Sequence, residues 1–173
     1  MKARLLFVCL GNICRSPAAE GIMRAMVEER LLLDDIYVDS AGIGSWHVGE
    51  MPDRRMRKHA LRRGYDLSPL RARQFQPDDF RKFDYIIVMD EKNYHDVMSR
   101  CPAPQETIKT SPDGGRVDGG SAQVLRVKDY FVRYKGHQNV PDPYYGGSDG
   151  FELALDLIED GCRGLLDALT SNY

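Results

Sequence analysis

The sequence predicts an α/β fold, a three-layer α/β/α sandwich around a central four-stranded parallel sheet, on the strength of three observations. Tyr85-Ile86-Ile87-Val88-Met89 is an unbroken apolar run of strand length, the pattern of a strand covered on both faces. Short apolar runs alternate along the chain with stretches of helical periodicity, which is the order of a parallel sheet with crossover helices. The first run also passes through a glycine-containing turn straight into a helix, the unit from which such sheets are wound.

Taken in order, residues 3–9 are a buried strand bounded by Gly11, and Pro17 to about Arg30 is a helix with Ala19, Ile22, Met23 and Met26 on one face. Ile36-Tyr37-Val38 is a second strand, running into Asp39-Ser40-Ala41-Gly42. Asp53 to Arg63 is a helix that stops at Gly64. A helix over Glu91 to Ser99 follows the strand at Tyr85–Met89, and Leu125-Arg126-Val127 is a weaker fourth strand. From Asp149, the residues Phe151, Leu155, Ile158, Cys162, Leu165 and Leu169 recur at helical spacing, so the last element is a long amphipathic helix packed on the sheet. Residues 110–121 are polar and glycine-rich; they read as a surface loop and carry no assigned chemistry.

The length of 173 residues with 42% hydrophobic content suits one domain over 1–173 with a continuous core. Lys and Arg number 24 against 26 Asp and Glu, so nothing in the overall charge points to nucleic acid or an anionic membrane, and any anion site is local. No run reaches membrane-spanning length, and the four cysteines are too sparse for a secreted disulfide scaffold. A cytoplasmic protein with at least one working thiol is expected. His47, His59, His95 and His137 have no ligand spacing, so no metal and no cofactor are expected.

Chemistry concentrates in Cys9-Leu10-Gly11-Asn12-Ile13-Cys14-Arg15-Ser16-Pro17, between the first strand and the first helix. Ligands of parallel sheets bind beyond the carboxyl ends of strands, where turn amides and the exposed amides of the next helix converge on anions. Gly11 relieves crowding in the turn, Asn12 tolerates a left-handed backbone, and Pro17 suits the start of a helix. A thiol in such a place is favoured as thiolate, which makes Cys9 the candidate nucleophile. The planar fork of Arg15 matches two oxygens of a tetrahedral dianion, and the Ser16 hydroxyl is placed to donate to the Cys9 sulfur.

The run from Cys9 to Pro17 resembles the signature of the low-molecular-weight protein-tyrosine phosphatases. The resemblance implies that Leu10 to Ser16 cradle a phosphate and that Cys9 forms a phosphocysteine. Val140-Pro141-Asp142-Pro143-Tyr144-Tyr145 looks like the family's general-acid loop, which makes Asp142 the acid and then the base, between prolines that hold it still. By the same resemblance Ser40 and Asn12 brace the loop, while Trp46, Tyr144 and Tyr145 wall the cleft. Cys14 resembles the thiol that protects an oxidised nucleophile by forming a disulfide. Cys101 and Cys162 are expected to be structural.

The implied substrate is a phosphotyrosine protein or small aryl phosphate, with inorganic phosphate as product and a monomer or weak self-association as the state. Two departures stand out: Leu70 lies where mammalian members carry a histidine, and the glycine-rich segment before Val140 is longer than usual. Arsenate reductase and phosphoarginine phosphatase are the rival readings. The first needs further relay cysteines, and Cys101 stands alone after the third strand. The second carries threonine where Ile13 stands. Arg54, Arg55, Arg57, Lys58, Arg62 and Arg63 form a basic run that reads first as a solvated helix face and, near the cleft mouth, as a steering surface for acidic phosphopeptides.

Overall fold

Six of the seven residues of Ala3–Cys9 are apolar, and this segment forms β1, the strand around which the fold is built. The computed structural model describes residues 3–102 and 121–171. In it β1 pairs in parallel with β2 (Ile36–Gly42) on one side and β3 (Tyr85–Val88) on the other. β4 (Gln123–Arg126) adds in parallel to β3, giving the order β2-β1-β3-β4.

Alternation along β1 sends Leu5, Phe7 and Cys9 to one face and Leu6 and Val8 to the other, so a strand with almost no polar residues serves two cores. On the first face lie α1 (Arg15–Glu29), α2 (Arg54–Arg62) and α5 (Ser148–Thr170), through Ile22 and Met23, Met56 and Ala60, and Phe151 to Leu166. On the second lie α3 (Asp79–Lys82) and α4 (Glu91–Ser99), through Phe80 and Val97. Helices on both faces of a parallel sheet are the three layers that the sequence predicts. Among the described residues no helix is long and apolar enough to cross a membrane.

Some boundaries differ from expectation. α1 begins at Arg15, so Pro17 occupies its third position, still within the first turn where a missing N–H costs nothing. Asp39 to Gly42 belong to β2 itself rather than following it. The fourth strand ends at Arg126, and Val127 opens a 3₁₀ turn over Val127–Tyr130. That turn lies against α5 at Gly164, where a Cβ would stand 2.0 Å from the Tyr130 carbonyl oxygen. α3 was not foreseen. The glycine-rich segment falls, except for Ser121, outside the described residues.

The chain leaving this turn is anchored by a buried carboxylate. Asp160 on α5 accepts the amides of Val132 and Tyr134 at 2.9 and 3.1 Å, and that of Arg133 at 3.0 Å. Replacing Asp160 with alanine orphans three amides and is expected to cost about 3 kcal/mol of stability. Urea denaturation checks this, and an unchanged midpoint contradicts it.

Candidate active site

The strand order places the C-terminal end of β1 at the point where connections diverge to β2 on one side and β3 on the other, and the loop from Cys9 to Ser16 fills that crevice. Its carbonyls are bonded outward. Cys9 accepts from the Ile43 amide, Leu10 from Gly44, Ile13 from Asp53 and Cys14 from Ala18, at 2.7–3.3 Å. The peptides are trans, so turning these carbonyls out turns the amides of Leu10, Gly11, Cys14 and Arg15 in. Asp53 and Asp90 cap α2 and α4 with their carboxylates, but α1 has no side-chain cap and no acidic residue in its first turn. The result is an anion-binding concavity at an uncapped helix N-terminus.

Asn12 holds this shape. It adopts φ +58°, in the left-handed region that asparagine tolerates. Its Nδ2 donates to Ser16 Oγ at 2.8 Å and to Ser40 Oγ at 3.0 Å, and its Oδ1 accepts the Arg73 amide at 3.0 Å. Ser16 Oγ lies 3.0 Å from Cys9 Sγ, a contact in which either atom can donate, and its hydroxyl also donates to the Ala41 carbonyl at 3.4 Å. Ser40 donates to the buried carboxylate of Glu20 at 2.6 Å, and Arg24 pairs with the other Glu20 oxygen at 2.7 Å. Where the histidine was expected, Leu70 instead packs on the core, and the Arg73 main chain with the Glu20–Arg24 pair completes the bracing. Gly42, beside the turn, allows the contact: a Cβ there would meet Gly11 C at 2.8 Å and Asn12 N at 2.9 Å.

Arg15 is 2% exposed. Its Nη1 donates to Asp90 Oδ2 at 2.6 Å and to the Val140 carbonyl at 3.0 Å, and Nη2 lies 3.4 Å from Asp142 Oδ2. With Nη1 engaged twice, the Nε and Nη2 edge is what the fork offers an oxyanion. Burial opposes the Arg15 charge, but Cys9, Asp90 and Asp142 outweigh it and raise the guanidinium pKa. Asp142 is held in turn by the Tyr144 amide, which donates to its Oδ1 at 3.0 Å. Burial also pushes the Cys14 thiol well above its ordinary range, with Asp53, Cys9 and Asp142 adding to the effect. Cys14 is therefore held as a thiol beside Cys9.

A cleft of about 400 Å³ is lined by Cys9, Leu10, Gly11, Ile13, Cys14, Arg15, Trp46, His47, Asp142, Tyr144 and Tyr145. The expected site residues thus meet at one place, with Asn12, Ser16 and Ser40 directly behind it. Trp46 and Tyr145, 67% and 88% exposed, form the outer rim. The sequence reading missed His47, which bonds Glu50 at 2.7 Å and lies over Gly11, and also Asp90, Glu20 and Arg73. The nearest signal for Asp90 was its position just after the clearest strand. Cys101 contacts Pro102 and Ser121 rather than the cleft, and Cys162 is buried on α5 under Ala19.

A family model described as low molecular weight phosphotyrosine protein phosphatase matches residues 4–173. A Synechocystis sp. protein provisionally named low molecular weight protein-tyrosine-phosphatase is 48% identical over 166 residues, covering 96% of each chain. Among solved structures, a protein tyrosine phosphatase from Entamoeba histolytica with Hepes in its active site aligns with a TM-score of 0.85 at 38% identity, covering 99% of both chains. A Drosophila arginine phosphatase aligns with a TM-score of 0.81 at 32% identity over 100% of both.

The buried Glu20 carboxylate makes the brace pH-sensitive. Burial raises its pKa, against the lowering effect of Ser40 and Arg24. A carboxyl with a raised folded-state pKa contributes stability that is complete below the unfolded value of about 4.3 and is lost as pH rises through the folded value. The stability of the wild type relative to Glu20→Gln is therefore expected to fall from about pH 4 toward neutrality. Parallel urea titrations check it, and a flat or rising difference contradicts it.

Proposed function

The chain belongs to the low molecular weight phosphotyrosine protein phosphatase family, and from that membership we propose that it hydrolyses phosphotyrosine monoesters through a phosphocysteine on Cys9. The observation that carries this reading is the convergence of the Cys9 sulfur, the Arg15 fork and the Asp142 carboxylate on one cleft whose floor is built of inward-facing amides.

The phosphate enters with its non-bridging oxygens on the loop amides and on the Nε and Nη2 edge of Arg15. Cys9 Sγ attacks phosphorus; the S–P bond forms as the bond to the phenolic oxygen breaks, and Asp142 gives that oxygen its proton. Asp142 then takes a proton from water, whose oxygen attacks phosphorus. The S–P bond breaks, orthophosphate leaves, and the Ser16 hydroxyl donates to the departing sulfur. Trp46, Tyr144 and Tyr145 receive the aryl ring, with stacking contributing about 0.5–1.5 kcal/mol beyond burial.

The likeness to an arginine phosphatase favours a second reading, in which phosphoarginine is the substrate. Ile13, which lines the cleft, argues for the aryl ester, because an apolar wall suits an aromatic ring better than a guanidinium. The four free cysteines fit a reducing compartment such as the cytoplasm.

With chelator present, p-nitrophenyl phosphate is expected to be hydrolysed by the wild type, not by Cys9→Ser, and by Asp142→Ala at a rate roughly 10²–10⁴ lower. Phosphotyrosine peptides are expected to be turned over at least about tenfold faster than phosphoarginine or phosphoserine peptides. Turnover indifferent to Cys9 discards the mechanism, and preference for phosphoarginine installs the second reading.

Peroxide is expected to convert Cys9 to a sulfenic acid, which Cys14 condenses with to give a disulfide and water. Dithiol then restores activity in the wild type but not fully in Cys14→Ser. Equal recovery of the two removes the protective role of Cys14.

A further inference from the structure

We propose that Arg55 is a positioning residue for the general acid: with Asp53 it straps the phosphate loop to the loop that carries Asp142. The inference rests on the phosphatase reading and deepens it.

In sequence Arg55 is one of a basic run on α2, and the structure separates it from the others. Its Nη2 donates to Asp53 Oδ2 and to the Tyr144 carbonyl, both at 3.0 Å, while Nε reaches Asp53 Oδ1 at 3.2 Å. Its guanidinium carbon lies 4.8 Å from the centroid of the Phe151 ring and 5.5 Å from that of Tyr144. Asp53 is itself fixed at both ends. Its carboxylate accepts the Arg55 amide at 2.8 Å, and its own amide donates to the Ile13 carbonyl at 2.7 Å. At the other end the Tyr144 amide donates to Asp142 Oδ1 at 3.0 Å. An unbroken path of hydrogen bonds therefore runs from Ile13 in the phosphate loop through Asp53, Arg55 and Tyr144 to Asp142.

Asp142 needs such an external tether. It caps a single 3₁₀ turn, Pro143–Tyr145, followed directly by Gly146 and Gly147. One 3₁₀ turn has little stability of its own, and two glycines transmit no stiffness from α5. On the upstream side Val140 is fixed by Met89 and Arg15. Arg55 supplies the matching hold downstream. Because the Arg55 side chain is about half-exposed, and the more covered Asp53 carboxylate keeps the Arg55 and Met56 amides as donors, removing the Arg55 side chain changes stability little. A displacement of about 1 Å in a reacting group, by contrast, costs on the order of 10²-fold in rate. Lysine keeps the charge but lacks the planar fork that bonds carboxylate and carbonyl together while stacking on the rings.

The test compares kcat/KM for p-nitrophenyl phosphate and phenyl phosphate, which share a ring but differ in leaving group, in the wild type, Arg55→Ala and Arg55→Lys, each also in the Asp142→Ala background. Both Arg55 variants are expected to lose roughly tenfold more on phenyl phosphate, whose leaving group depends on the proton, than on p-nitrophenyl phosphate. Thermal midpoints are expected to stay within about 3 °C of the wild type, and Arg55 replacement to add nothing once Asp142 is gone. Equal losses on the two substrates, full rescue by lysine, or an additive loss in the Asp142→Ala background overturns the strap while leaving the phosphatase reading intact. A wild type inert toward both substrates overturns the phosphatase reading and the strap with it.

Discussion

The side-chain amide of Asn12 is the contact on which the rest of the site depends. A left-handed residue at φ +58° is what bends the loop into a cradle, and three hydrogen bonds fix it, to Ser16 on α1, Ser40 on β2 and the Arg73 main chain. Donating to Ser16 has a chemical consequence as well as a structural one. It occupies the hydroxyl oxygen as acceptor, so the one hydroxyl proton is directed to the two remaining neighbours, the Cys9 sulfur at 3.0 Å and the Ala41 carbonyl at 3.4 Å. The brace then continues outward through Ser40 to Glu20 and Arg24, so the backbone of the loop is referred to two layers of the fold at once.

Charge is distributed around this cradle asymmetrically. The helix that points at the site is left uncapped, while the next two long helices in sequence are capped by aspartates that also serve the site: Asp53 holds Arg55, and Asp90 holds Arg15. A buried guanidinium needs compensating anions. Asp90 supplies one at Nη1 and Asp142 another at Nη2, and only Asp142 lines the cleft. The closer of the two carboxylates is thus not the one proposed to move protons, so Arg15 keeps its Asp90 partner when Asp142 changes protonation. Cys14 follows the same pattern, because burial first and the neighbouring aspartates after it keep it a thiol beside Cys9.

Much of this was legible in the sequence because the decisive signals are local. The apolar runs of β1 and β3, the glycine and asparagine of the turn, and the residues from Cys9 to Ser16 lie in short windows whose chemistry reads directly. The strand, the turn and the helix were recovered to within two residues. What was not legible comes from distance along the chain. Asp90 meets Arg15 across 75 positions, the Arg73 amide meets Asn12 across 61, and Arg55 meets Tyr144 across 89. No periodicity or spacing encodes such pairings. β4 was weak for a different reason: it is an edge strand of half-covered residues, without the continuous apolar pattern of a central one. At Leu70 a residue-by-residue expectation met a site that closes its network with a main-chain amide, a donor that every non-proline residue carries and no sequence comparison isolates.

The site is therefore built in two parts with different tolerances. Behind the cradle, the chain of side chains from Cys9 through Ser16, Asn12 and Ser40 to Glu20 is buried, with Arg24 closing it from the half-exposed surface, and among the described residues the only buried side-chain polar atom without a partner is Asn93 Oδ1, outside that chain. Removing any member of it orphans a neighbour in a low-dielectric setting, which costs more than the bond itself is worth. At the mouth, Trp46 and Tyr145 are mostly exposed and His47 is tied to an exposed Glu50, so substitutions there leave no buried group unsatisfied. The proposed oxyanion cradle is consequently fixed by the fold, whereas the residues proposed to discriminate among attached groups can change at little structural cost. Ile13 sits at the border between the two, buried with the loop yet facing the cleft, which makes it the position where a change of leaving-group preference and a change in the phosphate cradle cannot be made independently.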